Sequence, residues 1–507
     1  VNILINYFTF LYNSFPHQHW RWGWFVFCSA VSQIIQPMIL NYKSMALVAL
    51  LCGALFSSCE KNTPPDPTPE EKQTVVLTGD ITTDTELDPK NNYLLKGKVF
   101  VKNNATLTIP QGITVLAEAN AAASDKAALI ITRGSKINVN GTSDQPVVFT
   151  SAAADKAPGD WIGILVLGKA ETNGDNRKLH VSGFQSSADT EFGGTTNNDN
   201  SGSIKFLRIE YAGGLNPALE EEWALDQASG LSLNGVGSGT LLENVMIKYS
   251  RDDAFQFVGG TVNGKYLVAY NNGDDNFDFD RGYTGHLQFL ISYRTVPSAV
   301  SIRANGFESL NDQAASDRTP LTRPVVSNMT IVGPREDQPL TDQSQGIYIR
   351  RSTRFNIENS IVAGYSNGGL MLCPKTRPLL TENKGSVFKF NLVNADEAGR
   401  AFTFDNGPSG VIIVPDTEVA TWAVINEPGQ FKVPSLNKNA IAANLADLKL
   451  KALYLADGPD FAPAEGSPAL TGADFSDKDF AAFAKVSFRG AVGPSDTWVA
   501  GAWLNWK

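Results

Sequence analysis

From about residue 75 the chain runs in short stretches where apolar and polar residues alternate, each closed by Gly, Asn or Asp. Period-two stretches of about four to eight residues predict strands with one buried face. Tyr93–Val101, Ala105–Leu116, Ala128–Ile131, Lys136–Val139, Pro146–Thr150 and Trp161–Leu167 all have this form. Later strands repeat one another. Val245–Gly260 aligns with Leu267–Gly282 at an offset of 22, with Asp252/Asp274, Asp253/Asp275, Phe255/Phe277, Phe257/Phe279 and the closing Gly identical. A further step, at 23, sets Leu290–Tyr293 over Leu267–Tyr270 and Val300–Ile302 over Phe277–Phe279, and Gly346–Ile349 maps onto Gly368–Met371 at 22.

Units of this length cannot bury an apolar face alone and cannot hold a crossover helix, which points to a solenoid. The predicted fold is an all-β parallel β-helix with about 22 residues per rung, in which residues one repeat apart stack about 4.8 Å from each other. A β-sandwich also has many short strands, but gives no reason for side-chain identity at a fixed offset. The repeats are expected over 75–375. Inserts at 169–202, 213–228 (with Glu220–Glu222) and 311–324 should gather on one side of the solenoid. Beyond 376 the period fades and Asn439–Lys451 reads as an amphipathic helix. Residues 376–507, with Trp498, Trp503 and Trp506, are expected to cap the open end.

Charge divides the chain. The whole carries 42 Lys+Arg against 52 Asp+Glu, net −10, which excludes nucleic acid as a partner because phosphate binding needs a concentrated basic excess. Residues 1–58 hold no acid and only Arg21 and Lys43. Within them Met45–Leu55 is an apolar run preceded by Lys43 and followed by Phe56-Ser57-Ser58-Cys59, the form of a signal peptide over 38–58 and too short to cross a bilayer. Residues 1–37 read as untranslated upstream sequence or, alternatively, as a membrane segment near Trp22–Ile35. Residues 59–74 are Pro-rich and charged, as expected of a tether. With Cys28 and Cys52 in the leader and Cys59 at its end, Cys373 is the lone thiol of the body, so no internal disulfide is expected. Only His180 and His286 remain for metal or acid–base chemistry.

Leu55-Phe-Ser-Ser-Cys59 resembles the bacterial lipobox, which implies lipidation of Cys59 and attachment to the cell envelope as an outer-membrane lipoprotein. Glu60-Lys61-Asn62-Thr63 lacks the Lys-plus-acid cluster associated with surface export, which leans towards the periplasmic face. Leu107–Gly112, Gly141–Ser151, Gly159–Ile164, Ser201–Gly213 and Phe488–Gly493 resemble motifs of lipid-anchored right-handed parallel β-helix proteins of Bacteroidota. That resemblance implies the right-handed β-helix and specifies no activity.

One constellation could carry chemistry. At the 22-residue register Asp252 and Asp253 lie over Asp274 and Asp275, and four carboxylates so close need a cation, an Arg or a shared proton. Three readings follow. The first is a turn ladder balanced by Arg251, Arg281 and Arg303, with Asp280 stacked on Arg303. The second is a Ca²⁺ site built from the four aspartates with Asn271, Asn272 and Asn276, since hard oxygen donors suit calcium. The third is hydrolytic, with Asp253, Asp274 and Asp275 as acid–base candidates. Gly273-Asp274-Asp275 resembles the Gly-Asp-Asp motif of polygalacturonases, although their Gly-His-Gly and Arg-Ile-Lys motifs have no counterpart here and His286 falls out of phase. Gly235–Gly239 is glycine-dense but lacks the Lys-Ser/Thr of a phosphate loop. Trp161, Phe184, Trp223 and Tyr283 are candidate sugar platforms. Together these features predict a tethered glycan-binding solenoid, with a polysaccharide lyase or hydrolase and a structural or adhesive protein as the alternatives.

Overall fold

A computed structural model describes residues 72–507 apart from 120–124, 215–228, 299, 302, 335–342, 396–397, 406–412, 424–436 and 456–457. The leader, Cys59, Glu220–Glu222 and Trp223 therefore lie outside the described residues. Two long sheets wind along one axis, of 17 strands (sheet A) and 12 strands (sheet B), and successive rungs pair in parallel. This is the parallel β-helix that the repeat predicts. The repeated phenylalanines face inward: Phe255 stacks on Phe277 at 5.1 Å and Phe257 on Phe279 at 4.9 Å, both within 11° of parallel. Stacked rings one rung apart keep their offset geometry because the ladder holds the backbones in register.

Sheet A is bent along its length. One residue in each rung has a left-handed backbone where the ladder skips a pair: Phe206, Asn244, Tyr266, Phe289, Asn328, Asn359 and Phe390, with φ between 50° and 61°. That conformation costs a non-glycine residue about 1 kcal/mol or more, and it turns these side chains outward along a corner. Tyr266 and Phe289 stack there at 5.1 Å.

Two expectations for the C-terminal third are corrected. The rungs do not stop at 375: Leu392–Asn394, Phe402–Asp405 and Ala440–Ala442 continue the sheets in parallel. Their period was hidden because the rungs lengthen; the ladder bond from the Ser360 amide to Asn391 Oδ1 spans 31 residues and that from Asn391 to Asn439 Oδ1 spans 48. The predicted helix over Asn439–Lys451 is instead the strand Ala440–Ala442, a 3₁₀ turn at Leu445–Leu448 and the strand Leu450–Ala452, which pairs with Asp460–Pro463. Burial of Ala440, Ile441 and Ala442 against the last rung overrides the helical spacing.

The final part of the C-terminal segment, from Asp474 on, does not lie over the end of the solenoid. It runs back along sheet A as a strap on the outward corner. Asn359 exchanges two hydrogen bonds with Asp474, Asn328 donates to the Phe488 carbonyl, Trp498 packs on Tyr266 at 5.1 Å, and Trp503 meets Phe206 edge-on and donates its amide to Ser143 O. The strap covers an apolar outer face made by Met246, Val268, Ile291 and Val332. At the far end of the core, Val419 of the helix Thr417–Ala423 joins the interior cluster.

The strap also shields Glu358, which is 1% exposed on the outward side of sheet A. Burial, and then the nearby Asp477, pushes its carboxyl up to about 8, against the opposing pull of Lys389. A raised folded value means the stabilising protonated form is complete below the ordinary carboxylate range and is lost as pH rises through about 8. Chemical denaturation between pH 5 and 9 should therefore show stability falling with pH, and Glu358→Gln should remove roughly 2–4 kcal/mol of that fall. An unchanged pH profile in Glu358→Gln would remove Glu358 as its source.

Candidate functional site

Each rung turns from sheet A into sheet B through a short acidic corner. Register places Asp253, just before Phe255, one rung from Asp275, just before Phe277. The two carboxylates do not meet head-on. Asp253 Oδ1 accepts the Asp275 amide at 2.9 Å, Asp275 Oδ1 accepts the Asn305 amide at 2.6 Å, and Asn305 Oδ1 accepts the Gln345 amide at 2.9 Å. A side-chain-to-amide ladder thus climbs the axis with every member buried. Gly273 lets this corner close, since a Cβ there would lie 2.0 Å from the Arg251 carbonyl.

Around the ladder the carboxylates form two groups. Asp252, Asp253 and Asp274 each offer an oxygen within 4.8 Å of the others, and so do Asp275, Asp278 and Glu308. Burial holds the Asp253 carboxyl well above its usual range, aided by Asp252 and Asp278; burial and then Glu308 do the same for Asp275. Ca²⁺ fits this chemistry on size: ligand oxygens at about 2.3–2.6 Å from one ion lie up to about 5 Å apart.

The neighbouring asparagines do not add donors. Asn271 Oδ1 accepts the Thr295 amide, Asn272 Oδ1 the Ser250 amide, and Asn276 Oδ1 the Asn272 side chain, so all three hold the turn together. The expected counter-ions are also rearranged. Arg251 lies along Gly159, Arg281 pairs with Asp280 at 3.7 Å, and Arg303 reaches Gln343 rather than Asp280. The cause is a rung of 30 residues: Asp278 pairs with Glu308, so Phe307–Ser309 and not Val300–Ile302 stacks on Phe277–Phe279. Sequence reasoning missed the cations that matter. Arg294, 1% exposed, donates to the carbonyls of Asn272 and Asp274, and Arg350 binds Glu308 at 3.0 Å. Burial opposes the Arg350 charge, but Glu308 outweighs it and raises the guanidinium further.

On the outward side of sheet B the register lines up Ser232, Gln256, Asp278, Glu308 and Tyr348 in one column. A second column holds Asn234, Val258 and Asp280. All eight are nearly buried. Inserts 169–202 and 311–324 wall one side, joined through Asn173–Asn311 and Asp175–Arg318. The hairpin Lys178–His180 with Glu191–Gly193 overhangs Asn234 and Asp280, enclosing a cavity of about 90 Å³ that His180 and Arg281 also line.

Residues 79–407 match the family of the pectate-lyase-like β-helix domain. The chain belongs to that family. No curated protein and no solved structure matches it. Within this pectate-lyase-like β-helix, two proposed sugar platforms are structural. Trp161 is wholly buried and donates to the Glu210 carbonyl, and Tyr283 is wholly buried and donates to Val262 O. Phe184 is half-buried beneath Lys98. Their apolar surroundings face the core, a distinction that period alone does not make.

Buried carboxylates with raised folded values destabilise the protein as pH rises from the ordinary carboxylate range through those values, unless a cation is bound. Asp275→Asn keeps the oxygen that accepts the Asn305 amide and removes the charge. In EDTA at pH 7 it should stabilise the fold by about 1–3 kcal/mol, read by chemical denaturation. A loss of stability of that size would contradict a proton-dependent ladder.

Proposed function

We propose that this β-helix protein binds a polysaccharide laid along the outward face of sheet B, with Ca²⁺ held by the adjoining carboxylates. The observation that carries this reading is the column Ser232, Gln256, Asp278, Glu308 and Tyr348, which repeats polar groups at about 4.8 Å along the axis. A row of regularly spaced donors and acceptors suits a polymer of hydroxyls, whose specificity comes from a few placed polar groups. Asp252, Asp253 and Asp274 supply the hard oxygens for calcium beside that row. Titration of the full chain with a panel of acidic and neutral polysaccharides should show binding that EDTA weakens at least tenfold. No binding to any member, with or without Ca²⁺, would overturn the reading.

A second reading rests on Asp275, Asp278 and Glu308, whose oxygens converge within 4.8 Å. Neighbouring carboxyls of which one keeps its proton can serve as acid and base in glycoside cleavage or elimination. New reducing ends or unsaturated products from the same panel, abolished in Asp278→Asn, would establish an enzyme; intact polymer after prolonged incubation leaves a binding protein.

The lipobox and the Pro-rich tether support attachment of this solenoid to the outer membrane through Cys59. Intact-mass analysis of membrane-extracted protein should find fatty acid on the peptide that begins at Cys59. An unmodified Cys59 would remove the anchor.

A further inference from the structure

The strap crosses sheet A over a carboxyl that it does not bind. At one anchor the Asn359 side chain donates to the Asp474 carbonyl at 2.8 Å and accepts the Asp474 amide at 2.8 Å. At the next, Asn356 Nδ2 donates to Asp479 Oδ2 at 3.2 Å, and Arg323 pairs with the same oxygen at 2.6 Å. Strap residues Phe475–Lys478 therefore pass over the strand positions between those anchors, where Ile357 faces the core and Glu358 faces outward. Glu358 is 1% exposed, and its buried Oε1 has no hydrogen-bond partner. Beyond Asp479, Phe480 and Phe483 pack on Val325, His286 meets Phe483 edge-on at 5.9 Å, and Gln288 exchanges two hydrogen bonds with Ala484.

The charges that the strap brings to Glu358 are of its own sign. Its column on sheet A holds Gln288, Ser327 and Lys389. Lys389 attracts the ionised carboxyl, whereas Asp477 first, and then Asp474 and Asp479, oppose it. Hydrogen bonds from Ser476 hold Asp474 below the usual carboxylate range, helped by Lys438 and Lys389. Burial pushes Asp479 up, but Arg323 and Asn356 outweigh it and keep this carboxyl low as well. A protonated Glu358 fits beneath these acids; an ionised one adds a buried charge that repels them.

We propose that the strap from Asp474 to Phe488 is a proton-operated cover, closed over sheet A while Glu358 keeps its proton and opening locally when Glu358 loses it. The end of the strap stays docked, because Arg208 donates to the Ala502 carbonyl at 2.7 Å and the Trp503 amide to Ser143 O at 3.0 Å. Covered, Glu358 titrates at about 8; exposed to water, a glutamate does so at about 4.3. Each pH unit between those values multiplies the open population about tenfold, and above about 8 the population levels off. His286 acts in the opposite sense. Burial holds its imidazole below the ordinary value against the pull of Asp479, and Arg323 adds to the lowering. Acid below about 6.5 therefore favours the open form through His286 and offsets the Glu358 slope. The net change is confined to about pH 6.5–8.

Hydrogen exchange of the full chain, corrected for the intrinsic pH dependence of amide exchange, reads this opening. Protection within 474–488 should fall about thirtyfold between pH 6.5 and 8 and then hold, while protection within 498–507 is unchanged. Glu358→Gln should abolish the fall. His286→Gln should extend it to lower pH at about tenfold per unit, which keeps the proposal testable if Glu358→Gln does not fold. Constant protection within 474–488 in the unmodified chain, an equal fall within 498–507, or an undiminished fall in Glu358→Gln would overturn the cover.

Discussion

Parallel stacking makes each residue meet the occupant of the same position one rung away, and every other feature of this molecule answers to that constraint. For phenylalanine the meeting is favourable, so Phe255 on Phe277 and Phe257 on Phe279 build the core. For aspartate it is not, because like charges a few ångströms apart in a dry corner cannot both ionise without compensation. The acidic corner places a backbone N–H between successive carboxyls, Asp275 N on Asp253 and Asn305 N on Asp275. That hydrogen bond is one an asparagine could accept equally well, and Asn305 does so for Gln345. Charge at Asp253 and Asp275 is thus unnecessary for the ladder. Its presence is what the proposed cation site would use, with a proton in the cation's place when none is bound.

The two sheets divide the remaining work. Sheet A carries apolar residues on both sides, Val245, Ile247 and Leu267 inward and Met246, Val268 and Ile291 outward, and strands buried on both faces need a cover. The strap supplies it, docking on the aromatic and asparagine side chains that the left-handed corner turns out. Sheet B is apolar outside over its first rungs, at Ile130, Leu165 and Leu167, and polar from Ser232 to Tyr348, between the acidic corner and the packed inserts. The proposed binding falls on the face whose polar columns repeat with the rungs.

How much of this was legible follows from rung length. Where rungs are 22 or 23 residues long, identity at a fixed offset disclosed the fold, the Phe stacks and the Asp253–Asp275 register. Where an insert stretches the rung, the partner moved out of reach: Glu308 lies 30 residues from Asp278, and Arg350 a further 42 on. The strap was misread for a related reason. Trp498 and Trp503 announce a buried aromatic surface, but only the outward apolar positions of Met246, Val268 and Ile291 say that it lies along the solenoid rather than at its end. Trp161 and Tyr283 show the converse error, since an aromatic in a β-helix points inward or outward by a parity that short irregular strands obscure.

The central claim is that the buried acidic corner holds protons when no cation is present and gives them up to bind one. Infrared difference spectroscopy of the full chain at neutral pH observes this directly, through the carbonyl stretch of protonated carboxyls. Without calcium that band should be present, and it should shrink in Asp253→Asn and Asp275→Asn. Addition of Ca²⁺ should replace it with carboxylate bands. A spectrum showing only ionised carboxylates in EDTA, unchanged by Ca²⁺, would contradict the account.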